Sequence, residues 1–297
     1  MSGTKEGVTT MRDPDVRNES FFAVVVRKLR RNPIAIVCLV TLIVIAGAAI
    51  FAPYVAPADP NRPNLPARLS GPSAEHWFGT DHYGRDVLSR TIHGARVSLT
   101  VGIVAVAFGA AIGVVLGLLA GYVGGRVDTI VSRLIDTMLA FPLLLLALTL
   151  IVVLGSNVTN VILATGIATI PQFARVVRGS VLSVRELEYV HATRALGARG
   201  LRTVVKHVLP NVTAPIIVMA TIYTANVIIL EANLGFLGFG VQPPEASWGS
   251  IVNDGRRYLA QAPWVSVFPS IAITVTVLAL NLFGDALRDA MDPRLRS

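Results

Sequence analysis

Asp81, His82 and Asp86 form the densest group of side chains able to hold a metal or move a proton, with His76 and His93 nearby. The group lacks the histidine pair at i, i+4 spacing that marks a helical zinc site, so a metal or catalytic centre is not expected there. Asp136 is the other chemically suggestive acid, because it closes the inner end of an apolar run. An intramembrane carboxylate can line a pathway, and interfacial solvation accounts for this one equally well. No G-x-x-x-x-G-K-[ST] phosphate cradle occurs, nor H-E-x-x-H or G-x-S-x-G, so ATP hydrolysis and protease chemistry lack their residues. The single cysteine, Cys38, excludes an internal disulfide and sits inside an apolar run, which reads as an inert buried thiol.

The elements that must position these residues are membrane spans. Hydrophobic residues make up 53% of 297, charged residues 15%, and mean hydropathy is +0.62, values of an integral membrane protein. The net charge of +8 does not point to nucleic acid, since the basic residues are scattered between apolar runs without interleaved aromatics. Six spans are expected, near 34–54, 97–125, 130–154, 158–177, 208–230 and 264–283. The basic leader 1–33 precedes a first run too long for a signal peptide, so an uncleaved span is the reading there. The charge-free run Thr137–Ala174 would be about 57 Å long as one helix, against a hydrocarbon core of about 30 Å. It must turn back, and Gly155-Ser156-Asn157 is the corner. Pro142 and Pro171 are expected to kink their helices.

Within the second span Gly109, Gly113, Gly117 and Gly121 recur every four residues. On a helix they form a flat ridge for close packing, within the chain or against a partner span. The middles of the spans carry no Asp, Glu, Lys or Arg, the groups on which ion-coupled transporters usually rely. Energy is therefore expected to enter from outside the bilayer. Tyr223, Thr224, Asn226, Glu231 and Asn281 are candidate pathway groups, and the polar ones among the spans can equally bond neighbouring helices.

Residues 183–211 form a charged knob between two apolar runs. Ser183 and Glu186 have capping-box spacing, with Tyr189, Ala192 and Leu196 on one face of a short helix. Gly197-Ala198-Arg199-Gly200 breaks it. A second amphipathic helix follows, with Leu201, Val204, Val205 and Val208 on one stripe, and Pro210 is expected to close it.

The run His191-Ala192-Thr193, then Gly197, His207 and Leu209-Pro210, resembles the "EAA" loop of ABC-transporter permease subunits. His191 stands where that motif has its Glu, Thr193 where it has its second Ala, and Glu188 lies one turn earlier. The run Gly79-Thr80-Asp81, with Gly84-Arg85-Asp86-Val87-Leu88-Ser89-Arg90, resembles the segment before the second span of dipeptide, oligopeptide and nickel permeases. Stretches within 231–258 and 284–294 resemble the same family, so the likeness covers roughly residues 20–296. It implies an all-α membrane protein of type I ABC importer permease fold, and specifically the second, C-type membrane subunit. It also implies a heterodimer with a second homologous permease, two ATP-binding subunits carrying ATP and Mg, and an extracytoplasmic substrate-binding protein. No cofactor is expected on this chain. The coupling surface implied is Glu188, Tyr189, His191, Ala192, Thr193, Leu196, Gly197, Ala198, Leu209 and Pro210.

Orientation follows from charge. Of 26 Lys and Arg residues, 19 fall in 1–33, 126–136, 172–207 and the tail, against 7 in 52–96 and 231–264. Both termini and the knob are expected to be cytoplasmic, with Trp77, Trp248 and Trp264 as outer interfacial anchors. The function expected is ATP-driven peptide import, with nickel chelate or haem as alternative cargo. A membrane scaffold or sensor and a self-contained ion-coupled transporter are the alternatives of other classes.

Overall fold

The computed structural model describes residues 21–195 and 200–291. Leu196, Gly197 and Ala198 of the expected coupling surface lie outside the described residues, as do residues 1–20 and 292–297.

An amphipathic helix, α1 (Phe21–Arg31), leads into α2 (Pro33–Ile50), whose first turn is capped by the Asn32 side chain accepting from the amides of Ile34 and Ala35. A short turn, α3 (Ala52–Val55), opens the first outer segment. The longest helix follows, α4 (Val87–Val123). Then come α5 (Gly125–Leu139), α6 (Leu143–Leu154) and α7 (Val158–Arg185). The knob contains α8 (Glu188–Ala195) and α9 (Gly200–Thr203). A π-helical turn, Val204–Val208, runs into α10 (Leu209–Phe236), and α11 (Trp248–Arg256) and α12 (Trp264–Met291) complete the order. Among the described residues five stretches are long and apolar enough to cross a membrane, and the bent pair α5–α6 makes a sixth if counted as one span.

Helix ends differ from the charge-free runs in instructive ways. The second spanning helix begins at Val87 rather than near residue 97, because the Asp86 carboxylate caps it by accepting from the Ser89 amide at 2.8 Å. At about 1.5 Å per residue α4 is longer than a hydrocarbon core is thick, and its first turns carry Arg90, His93 and Arg96. The stretch 130–154 is not one rod. It bends by 89° between α5 and α6, where Pro142 sits in an extended conformation and cannot continue the ladder. Helix α10 runs past residue 230, where the fifth span is expected to end, as far as Phe236. Gly235 lets the backbone of Gly249 approach there, and a Cβ on Gly235 would lie 2.9 Å from the Gly249 carbonyl carbon. The stretch after 283 is likewise helical as far as Met291.

The core is a contact between α4 and α7. Ideal Cβ atoms on Gly113 and Gly117 would each fall 2.7 Å from an α7 carbonyl oxygen, of Ile170 and Ala174 respectively. One on Gly109 would fall 2.7 Å from the Gly166 oxygen, and one on Gly121 would fall 2.8 Å from Val181 Cβ. The ridge thus packs inside this chain. Val101, Ala105, Val161, Ala164, Ala168 and Phe173 close the same seam without solvent exposure.

Candidate functional site

The knob stands on a rigid base. Val177, Val181, Val208 and Val212 are buried against Leu118 and Tyr122, so the ends of α4, α7 and α10 form one apolar plug. Arg185 closes the end of α7 by donating to the Gly121 carbonyl at 2.9 Å. Arg178 donates to Asp128 at 2.8 Å and ties α7 to α5. Asp136 pairs with Arg175 at 2.6 Å on the exposed surface between the same two helices.

The first knob helix starts later than its sequence suggests. Ser183 lies within α7, where its hydroxyl donates to Gly179, and no capping box forms between Ser183 and Glu186. Helix α7 ends at Arg185, and α8 starts at Glu188. Glu188, Tyr189 and Ala192 are exposed, as is Leu187. Val190 is wholly buried, and the Thr193 hydroxyl donates to its carbonyl. His191 lies within α8. Pro210 does not close the second helix. It is the second residue of α10, directly after the π-helical turn, and the backbone runs on through it so that 204–236 is continuous. The knob is thereby wired directly into a spanning helix.

The intramembrane candidates divide. Glu231 is fully buried, and its Oε2 accepts from Ser98 at 2.8 Å. The Ser98 hydroxyl in turn accepts from the Trp248 amide at 3.2 Å. This relay joins α10, α4 and α11 and faces no open surface. The Tyr223 ring lies 5.4 Å from that of Phe173, and the Thr224 hydroxyl donates within its own helix to Ala220. Asn226 is exposed and Asn281 half-buried.

Sequence reading left the outer Asp-Arg cluster without a purpose, and the fold supplies one. The Asp81 carboxylate, 1% exposed, accepts from the amides of Tyr83 and Arg85 at 2.8 and 3.0 Å and from Arg85 Nε at 2.6 Å. Arg90 stands 3.6 Å away at ion-pair distance, and Arg85 and Arg90 both reach Asp254 on α11 at 3.5 Å. Asp86 holds His76 Nδ1 at 3.0 Å besides capping α4. Trp264 Nε1 donates to the Thr80 carbonyl at 3.1 Å, and Gly79 has φ +71° at that crossing, where no side chain fits. The motif is a clasp between the segment before α4 and the region of α11 and the start of α12. No group of three or more His, Cys, Asp or Glu positioned for a metal occurs among the described residues. His82 beside the clasp is held below its ordinary pKa by burial, against the opposing pull of Asp81 and Asp254.

Long apolar helices around a glycine seam, a clasp of ion pairs at one end and a braced knob at the other are the features of a multi-span membrane protein. The chain belongs to the family of binding-protein-dependent transport system inner membrane components, which it matches over residues 113–297. Residues 20–72 match the N-terminal transmembrane domain of oligopeptide transport permease C. It is 44% identical to the dipeptide transport system permease protein DppC of Alkalihalophilus pseudofirmus, over 91% of this chain and 89% of that one. It is equally 44% identical, over the same shares, to the glutathione transport system permease protein GsiD of Escherichia coli. Among solved structures, the inward-facing MetNI methionine ABC transporter superposes with a TM-score of 0.57 at 21% identity. That match covers 68% of this chain and 96% of the other, and it is a likeness of fold. The chain is thus an ABC importer permease subunit of the inner membrane.

Proposed function

We propose that this chain is the C-type half of a permease heterodimer that imports small peptides, powered by ATP hydrolysed on two partner subunits and supplied by an outer binding protein. The knob carries this reading. Exposed Leu187, Glu188, Tyr189 and Ala192 project from a base locked to α4, α7 and α10, the arrangement needed to turn a push into helix movement. The relatives named for dipeptide and glutathione transport support a peptide cargo. The excess of Lys and Arg in the knob and terminal segments supports a cytoplasmic placement for both. In this mechanism ATP binding closes the partner ATPases against α8 and the following turn. The continuous 204–236 helix carries the displacement into the bundle, and hydrolysis resets it.

The test is coupling. Gly197→Asp is expected to leave membrane insertion and ATPase co-purification intact while separating ATP turnover from uptake. Uptake at the wild-type rate would remove the knob from the mechanism. Purification of the assembled complex without ATPase subunits in stoichiometric amount would remove the wider reading.

A further inference from the structure

The outer face carries a cleft of about 860 Å³ between the first turns of α4, the α6–α7 corner and the loop before α11. That volume lies within the range of small-molecule sites, roughly 300–1,000 Å³. Its α4 wall is a single helical stripe, His93, Arg96, Val97 and Thr100, at i, i+3, i+4 and i+7. The lining also includes Glu245. Arg96 and Glu245 are both exposed, and neither forms an ion pair among the described residues, although both line one cleft. The nearby outer charges behave differently, because Arg85, Arg90, Asp81 and Asp254 are consumed in the clasp.

The walls are stiff. His93 Nδ1 donates to the Ser89 carbonyl at 3.0 Å, which fixes the ring. The third wall is the α6–α7 corner, where Asn157 accepts from the Asn160 amide at 2.8 Å and Asn160 donates to the Gly155 carbonyl at 3.1 Å. Two opposite charges without an ion-pair partner, both lining one cleft, match a ligand with opposite charges at its two ends.

We propose that this cleft is an outer reception site for a short zwitterionic peptide, with Arg96 taking the terminal carboxylate and Glu245 the terminal ammonium. The inference rests on the peptide-import reading and adds to it a location and a chemical requirement, namely free termini. An arginine can meet a carboxylate with two parallel N–H donors, so the carboxylate end is the better specified of the two.

The test uses the assembled transporter in nanodiscs without its binding protein. The probes are Ala-Lys carrying a dansyl group on the lysine side chain, its C-terminal amide and its N-acetyl form, followed by fluorescence anisotropy. Wild type is expected to bind the free dipeptide about tenfold or more tightly than either blocked form, as befits a charge-assisted hydrogen bond. Arg96→Gln should lower free-peptide affinity to that of the amide while leaving the amide unaffected, and Glu245→Gln should do the same with respect to the acetylated form. Equal binding of all three probes by wild type, or free-peptide binding unchanged in both variants, overturns the proposal. So does loss of binding-protein-stimulated ATP turnover in the variants at unchanged peptide affinity, which would make the cleft a protein-docking surface. Failure of the underlying reading shows separately, as wild-type ATP turnover that peptide and binding protein together do not stimulate.

Discussion

Asp81 shows how a residue that invites a catalytic reading can be wholly structural. Its carboxylate is saturated by two amides and Arg85, with Arg90 alongside, and nothing is left to polarise a substrate. Removing its charge leaves Arg85 and Arg90 with only the more exposed Asp254; breaking a buried pair typically costs about 3–5 kcal/mol, and the remaining partner offsets part of that. Asp81→Asn is therefore expected to lower the melting temperature of the purified chain sharply, whereas Asp136→Asn, at an exposed pair, should shift it little. Similar losses in the two variants would contradict the clasp. His82 gives a pH signature. Its Nδ1 is buried without a hydrogen-bond partner and its ring stacks on Tyr258 at 5.4 Å, so the folded state favours the neutral form. The unfolded chain then takes up a proton first, near pH 6.5. This contribution to stability is full above that pH and is lost as pH falls through the lowered folded value. Wild type should lose more melting temperature than His82→Gln between pH 7.5 and 5.5; an equal loss would assign the acid sensitivity elsewhere.

At the scale of elements, the α4–α7 seam decides how the bundle is built. Every fourth residue of α4 is glycine because the α7 backbone lies where a side chain would be. Gly113→Val has nowhere to put its methyl groups, since even its Cβ would fall 2.6 Å from that of Phe173. Overpacking of this kind costs about 1–3 kcal/mol, and thermal unfolding in detergent should register it. Gly179 in α7 is the control: a Cβ there meets nothing within 4 Å. Gly179→Ala should stabilise by about 0.4–1 kcal/mol through helix propensity and a restricted unfolded chain. Opposite signs for the two substitutions are expected, and matching signs would dispose of the packing account. The glycine period was readable along the chain, but its partner was not, because a flat ridge accepts any helix. The ends of elements were the least legible. Absence of charge marks what can dissolve in hydrocarbon, whereas a cap such as Asp86 or a break such as Pro142 decides where hydrogen bonding stops.

For the molecule as a whole, sidedness is the property on which function turns. With Cys38 replaced by serine, a single cysteine at position 188 should react with a membrane-impermeant maleimide only from the inner side of the membrane, and one at 245 only from the outer side. Labelling of both from one side would invert or abolish the topology. The two ends of the bundle also divide their charges. One end uses Asp81, Arg85, Arg90 and Asp254 to hold itself together, with Arg96 and Glu245 outside any ion pair at a cleft. The other uses Arg178 and Arg185 to brace the base of the knob.

The apolar runs able to dissolve in a membrane and the glycine ridge were legible in residue order alone, because partition into hydrocarbon and helical periodicity depend on neighbours in sequence. Tertiary structure decided what each polar group does with its charge. Glu231 meets Ser98 from 133 positions away, and Trp264 meets Thr80 across 184. Only the packed bundle brings such groups within hydrogen-bond distance, and only there does an acid become part of a clasp or of a buried relay.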